Sequence, residues 1–254
     1  MSQIYKIGVS CAIAAAFMAG IAVADDGAAE SEGWKTSLAV GANLNQGNTE
    51  TMGINAALTT ERATEKTEYR FGLEANYGEN TTMADDGSEN TDKTTQNGKA
   101  YANIKRKFGA PYAYSDNSIL HDEIGGIDYR AIIGVGGGLY VVDSDKDKLG
   151  LELGLAYVIE KFESGADDDG LSLRLAARHD HTFSETAKYW AAVEYLPHMD
   201  DFDDYLLNAE IGTETVLNST LSLRVVAQDR YDNTPPAGLE ENDLSLIAAL
   251  VYTH

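Results

Sequence analysis

Residues 34–62, WKTSLAVGANLNQGNTETMGINAALTTER, carry a two-residue alternation on both sides of a short QGNT turn. Before the turn, Trp34, Leu38, Val40 and Leu44 share one face, and the opposite face is polar or small. After the turn, apolar residues again occupy every second position. Because successive side chains of a strand point to opposite faces, this stretch predicts a β-hairpin with one apolar and one polar side.

The same alternation recurs in about twelve segments, of which the weakest is 111–119. The connections between the segments alternate in length. Long, acidic connections are expected at 79–93, 116–126, 163–170, 196–204 and 232–242, and short ones at 63–66, 108–110, 143–147, 183–186 and 215–219. An even strand number with short turns at one end and longer loops at the other is typical of outer-membrane barrels. We therefore predict an all-β fold, a transmembrane antiparallel up-and-down β-barrel of about 12 strands, with its apolar side facing lipid.

A soluble sandwich or a lipocalin-like barrel, with the apolar face turned inward, is the competing structure. The polar face is rich in Gly, Ala, Ser and Asn beside its charges, which suits a crowded interior better than a solvated surface. Aromatic residues also lie near the ends of the segments, as the interfacial girdles of a membrane barrel require. These two features favour the membrane barrel.

The N-terminal residues predict export. Residues 1–24 combine one cation, Lys6, with an apolar run from Ile7 to Val23 and a small-x-small end, the layout of a secretory signal peptide. An uncleaved membrane anchor is the alternative, but the run is short and rich in alanine. We expect 25–33 to form a short periplasmic segment and 34–254 the barrel. Cys11 is the only cysteine, so no disulfide is expected after cleavage.

The chain is strongly acidic, with 41 Asp and Glu against 19 Lys and Arg and a formal net charge of −22. Such a balance argues against nucleic acid as a partner, because the phosphate backbone would be repelled. The partners expected are outer-membrane lipid and the barrel-insertion machinery, and the protein is expected to be a monomer in the cell outer membrane. No cofactor is predicted.

Three motifs resemble those of the YdiY-like, salt-induced outer-membrane proteins. They are GNT at 47–49 after a Trp-led strand, YRAIIGVGGGLYVV at 129–142 and DNTPPAGLEEND at 232–243. The resemblance covers nearly all of the chain after the signal peptide and implies an outer-membrane β-barrel, but no catalytic pattern or ligand. One departure is the last residue, His254, where such barrels commonly end in an aromatic residue.

Alternation places charges of both signs on the inward face. Those predicted to set a constriction are Arg130, Arg174, Arg178, Arg224, Glu152, Glu194 and Glu210. The predicted long loops, in contrast, hold many acids and one cation, Lys93. They form an acidic rim that includes Asp167, Asp168, Asp169, Asp200, Asp201, Asp203 and Asp204.

Three functions fit this distribution of charge. The barrel could be a narrow passive channel for small cations or polar solutes, whose acidic mouth concentrates cations. It could instead be a closed structural or binding barrel, whose acidic loops bind divalent cations or surface lipid, with a role in salt stress. In the third interpretation, the acidic loops only keep the surface solvated.

Other candidate sites are weaker. DSDKDKLG at 143–150 lacks the glycine that an EF-hand needs at its sixth position, where Lys148 stands. His179 and His181 share a face that alternation assigns to lipid, so two interfacial histidines are favoured over a zinc site. Ser184 is the nearest serine, but nothing in the sequence arranges it with a histidine and a carboxylate. We therefore predict that the protein is not an enzyme.

Overall fold

The computed structural model describes residues 33–45, 49–83, 89–235 and 238–254, and within them the chain is almost entirely β-strand. The strands are β1 Lys35–Asn45, β2 Thr49–Ala63, β3 Thr67–Met83, β4 Glu89–Lys107, β5 Pro111–Asp122, β6 Ile127–Asp143, β7 Asp147–Phe162, β8 Asp167–Ser184, β9 Ala187–Pro197, β10 Tyr205–Val216, β11 Leu221–Asp232 and β12 Asn242–Thr253. The predicted signal peptide and the centre of the QGNT turn lie outside the described residues.

Each strand pairs antiparallel with its neighbours in sequence, and β1 pairs with β12 to close the barrel. The register of β1 with β2 runs from Lys35↔Glu61 to Asn45↔Thr51, as the alternation on both sides of the turn requires. The prediction of an antiparallel up-and-down barrel of about twelve strands is confirmed. Within the described residues we find no helix with the length and hydropathy of a membrane span.

The connections alternate in length as expected, but three of the long ones are shorter than predicted. β3 continues to Met83 and β4 begins at Glu89, so 79–83 and 89–93 are strand and not loop. β5 likewise extends to Asp122, and β8 begins at Asp167. The loop assignments of 79–93, 116–126 and 163–170 were therefore wrong at their edges. Acidic and polar residues favour loops by composition, whereas here the ladders continue through them.

The two faces of the wall differ as the alternation predicts. Ile133, Leu139 and Leu153 lie on the outer surface and are exposed, and so are most of the large aliphatic residues at alternate positions. Ala156 and Arg174, on the opposite face, are buried inside the barrel. An apolar outer band around a polar interior is the arrangement of a transmembrane β-barrel.

Aromatic rings inside the barrel lie flat against glycines of neighbouring strands. A Cβ atom built on Gly212 would overlap the ring of Trp190, and one on Gly72 would overlap the ring of Tyr101. Gly212 and Trp190 are direct partners in the β9–β10 ladder. The glycines on the inner face therefore make room for large rings, and the rings fill the interior.

We predict that Gly212→Ala destabilises the barrel by about 1–3 kcal/mol, the usual cost of overpacking a filled interior. The Trp190 ring cannot move freely, because its indole N–H donates to Glu210 and the Arg224 guanidinium lies 5.7 Å from its centroid. The measurement is reversible urea unfolding in bilayers. Gly137→Ala is the matched control, because the nearest atom to its Cβ would be the Tyr112 carbonyl oxygen at 3.8 Å. Equal stabilities of the two variants would contradict the prediction.

Candidate functional site: the charged lumen and its acidic rim

Arg174 of β8 lies at the centre of the lumen and contacts three carboxylates. Its Nη1 atom is 2.7 Å from Glu152 Oε2, its Nη2 atom 2.8 Å from Asp116 Oδ2, and its Nε atom 2.6 Å from Glu194 Oε1. The side chain is 5% exposed, so the guanidinium is almost completely desolvated. Guanidinium donors lie in a fixed planar fork, and here each of its three nitrogens donates to a carboxylate.

Further side chains surround this Arg174 centre. Lys105 Nζ lies 2.7 Å from Glu152 Oε1, and the Tyr112 hydroxyl donates to the same oxygen at 3.0 Å. The Arg174 guanidinium also stands over the Tyr114 ring, 4.8 Å from its centroid. Strands β4, β5, β7, β8 and β9 all contribute to one buried network, which joins one side of the lumen to the other.

Two ion pairs cross the lumen near the long connections. Arg130 of β6 pairs with Glu160 of the adjacent strand and also with Asp232 of β11. Arg230 of β11 reaches Asp122 of β5, with 3.1 Å between Nη2 and Oδ2. β5 and β11 are six strands apart in a barrel of twelve, so this pair joins opposite walls.

Glu68 of β3 forms a third crossing near the short turns. It accepts from Lys148 Nζ at 2.7 Å and from the Tyr140 hydroxyl at 2.8 Å. Lys107 Nζ, on the adjacent strand, lies 3.4 Å away. The lumen is therefore bridged by ion pairs at three levels: near the long connections, at the centre and near the short turns.

The other predicted inward charges have more local partners. Arg178 pairs with Asp180 of its own strand at 2.8 Å, and Arg224 pairs with Glu214 at 2.6 Å. Glu210 accepts from Trp190 and from Gln228, the latter at 2.9 Å. The seven predicted residues thus separate into a central cluster of Arg174, Glu152 and Glu194, and four residues that lie outside it. Their role as a constriction stays a prediction.

Sequence reasoning missed several lumen residues, above all those of β5. Tyr112, Tyr114, Asp116 and Asp122 occupy even-numbered positions whose side chains contact the lumen charges. The alternation of 111–119 was the weakest in the chain, and both aspartates fell within 116–126, which was assigned to a loop. An even-numbered series of tyrosines and aspartates was the signal that could have identified this inner face.

The rim residues lie at the end of the barrel that carries the long connections. Asp167, Asp168 and Asp169 belong to the start of β8 and not to a loop, whereas Asp200, Asp201, Asp203 and Asp204 follow β9. Asn233 donates to the Asp203 carbonyl at 2.6 Å, and Thr234 donates to Asp204, so the last two connections contact each other. Asp168, Asp169 and Asp204 line a pocket that is open to solvent, together with His198.

The cation predicted within the long loops has a partner. Lys93 of β4 donates to Glu123 at 2.8 Å and ties β4 to the connection between β5 and β6. The hydrogen bond from the Lys93 ammonium lowers the pKa of Glu123 below its ordinary value, so this carboxylate stays ionised at neutral pH. The rim thus keeps a surplus of acids.

The remaining candidate sites are structural features of the short-turn end. Residues 143–150 form a tight hairpin in which the Ser144 N–H donates to the Asp147 carbonyl at 2.9 Å. His181 Nδ1 lies 2.6 Å from Asp147 Oδ1, and His179 Nδ1 lies 3.0 Å from the Tyr189 hydroxyl. Ser184 Oγ lies 3.2 Å from Thr186 Oγ1, and in the described part of the chain no hydrogen bond joins it to either histidine.

Comparison with known proteins agrees with the fold. A family model described as "Protein of unknown function, DUF481" matches residues 38–254. No curated protein matches the chain at a significant level. Among solved structures, the NanC porin is similar, with a TM-score of 0.51 and 7% identity over 87% of this chain and 99% of that one. The COG4313 outer membrane channel from Pseudomonas putida F1 has a TM-score of 0.51 and 8% identity over 91% of this chain and 100% of that one.

We predict that Arg174→Gln destabilises the barrel by about 3–5 kcal/mol, because it leaves the buried Glu152 and the partly buried Asp116 and Glu194 without their shared cation. Unfolding by urea, followed by tryptophan fluorescence, measures the loss. Arg178→Gln is the matched control on the same strand: its partner Asp180 is 45% exposed, so the cost should stay within about 1 kcal/mol. If the two variants were equally stable, the Arg174 centre would not hold the lumen together.

Proposed function

The chain belongs to the DUF481 family, and from its lumen we propose that it is a narrow passive channel for small cations or polar solutes in the outer membrane. The observation that supports this proposal is the set of ion pairs that bridges a barrel with an apolar outer wall. While these ion pairs are formed, they narrow the passage through the lumen. Because they are electrostatic, ionic strength and single charge changes should alter the width of the passage.

The rim supports the proposed preference for cations. Acids gathered at one mouth create a negative potential, which raises the local concentration of cations and repels anions. The lumen itself carries charges of both signs and is paired internally, so it contributes less to the sign of the preference. Selectivity in this proposal depends on the rim, and conductance depends on the bridges.

The alternative is a closed structural or binding barrel whose acidic rim binds divalent cations or surface lipid, and the Arg230–Asp122 pair favours it. A pair that joins opposite walls, six strands apart, would block the passage if it never opened. In this alternative the resemblance to salt-induced proteins points to a role at the cell surface in salt stress. Partners other than lipid and the insertion machinery are not required, and the protein would act as a monomer.

Single-channel conductance of the refolded protein in a planar bilayer distinguishes the two proposals. We predict that Asp122→Asn with Asp232→Asn raises the conductance, because both lumen-crossing pairs near the long connections lose their acid. Asp180→Asn is the matched control: its partner Arg178 lies on the same strand, so no crossing is removed. If the wild type and both variants insert correctly but show no conductance, the closed barrel is favoured.

Replacing Asp200, Asp201, Asp203 and Asp204 with asparagine should lower the preference for cations without changing the conductance at high salt. The reversal potential in a salt gradient measures this preference. At about 1 M salt the difference from wild type should vanish, because the Debye length is then ~3 Å and the rim charges are screened. An unchanged reversal potential at low salt would show that the rim does not set selectivity.

A further inference from the structure

The seam between the first and last strands is the shortest ladder of the barrel. Its register has four pairs, from Ser37↔Thr253 to Val40↔Leu250, and Thr36 and His254 exchange two more backbone hydrogen bonds at its end. The ladders on either side, β1–β2 and β11–β12, have eleven pairs each. Within the described residues, 41–45 of β1 and 242–249 of β12 therefore run without pairing to each other.

The ladder ends at Val40, next to Gly41. A Cβ built on Gly41 would overlap the Ala248 carbonyl oxygen, so the two backbones still approach each other closely at this point. Beyond it, Leu244 and Leu246 are 74% and 77% exposed, compared with 52% for Leu250 in the paired part. This difference is expected where an outward side chain has a neighbouring strand on one side only.

Among the described residues, no ion pair holds the seam closed. The ion pairs in the part of the chain that the structure describes join residues of the wall from β2 to β11 and its connections, and none includes a residue of β1 or β12. The inner face of β12 is apolar from Ile247 to Val251, where Ile247, Ala249 and Val251 lie, whereas Asp243 and Ser245 precede them on the same face. The outer face is apolar along the same stretch.

We infer that the unpaired half of the β1–β12 seam is a lateral opening through which a single-chain amphiphile passes between the bilayer and the lumen. A hydrocarbon chain fits there because both faces of β12 are apolar around Ile247, and this stretch is continuous with the lipid-facing wall. The polar head group meets the lumen charges and can bond to backbone groups that would otherwise lie unpaired in hydrocarbon, where such groups are costly. This route is separate from the axial passage proposed above.

Crosslinking tests the opening. The protein, folded in liposomes that contain a diazirine-labelled fatty acid, is irradiated, and the labelled residues are mapped by mass spectrometry. We expect labels on the inward residue Ile247 as well as on the outward residue Leu250. In Ala42→Cys with Ala248→Cys, bridged by a short thiol-reactive linker, labelling of Ile247 should be lost while labelling of Leu250 remains.

The matched control is Val225→Cys with Ala248→Cys, bridged by the same linker. Val225 and Ala248 are direct partners in the continuous β11–β12 ladder, so this bridge leaves the seam open and both labels should persist. Absence of label on Ile247 in the unbridged protein, or its persistence after the seam is bridged, would overturn the inference. Dimers of the Ala248→Cys variants, crosslinked between two chains at position 248, would also overturn it, because they would show that the free edge of β12 binds a second chain.

Conductance of the same bridged variants separates this inference from the proposed channel. Bridging the seam should leave the axial conductance unchanged, because the ion pairs that cross the lumen do not involve β1 or β12. If the protein conducts no current but is labelled at Ile247, only the channel proposal is contradicted. If it conducts and is labelled only at Leu250, only the lateral opening is contradicted.

Discussion

Backbone hydrogen bonding is the constraint on which the rest of this barrel depends. In hydrocarbon no water is present to satisfy an N–H or C=O group, so each strand must find a partner on both edges. Eleven of the twelve ladders join neighbours in sequence, but the last must join the two ends of the chain. Closure therefore depends on a few residues near Ser37 and Thr253, with Thr36 and His254 completing the ladder.

Closure in turn determines what the lumen must contain. One face of every strand meets lipid, so the polar faces of all strands are forced into a single confined space. Charges taken from water are tolerated only if they are paired and hydrogen-bonded. Arg174, with three carboxylates, and Arg130, with two, meet this requirement. With the lumen charges paired, the acids at the rim account for much of the net charge of the chain.

The alternation in the sequence was sufficient to predict the strands, the direction of each face and the inward positions of Arg174, Glu152 and Glu194. It could not predict the pairs that cross the lumen, Arg130–Asp232 and Arg230–Asp122, because pairs between strands five or six apart depend on barrel closure and shear and not on local pattern. Asp116 and Asp122 were missed for another reason. Their acidic surroundings resemble a loop in composition, although every second residue from Tyr112 onward continues the inner face.

β12 differs from the strands that carry lumen charges, and the difference has a physical cause. A strand buried against charges on its inner side must be polar there, as β8 is at Arg174. β12 contacts no ion pair in the described residues, and it is apolar on both faces around Ile247 and Leu250. The side chains of such a strand suit either β1 or the bilayer, but its edge N–H and C=O groups still need partners. Because the β1–β12 ladder has the fewest pairs and no ion pair among the described residues, separation there breaks fewer interactions than at any other ladder.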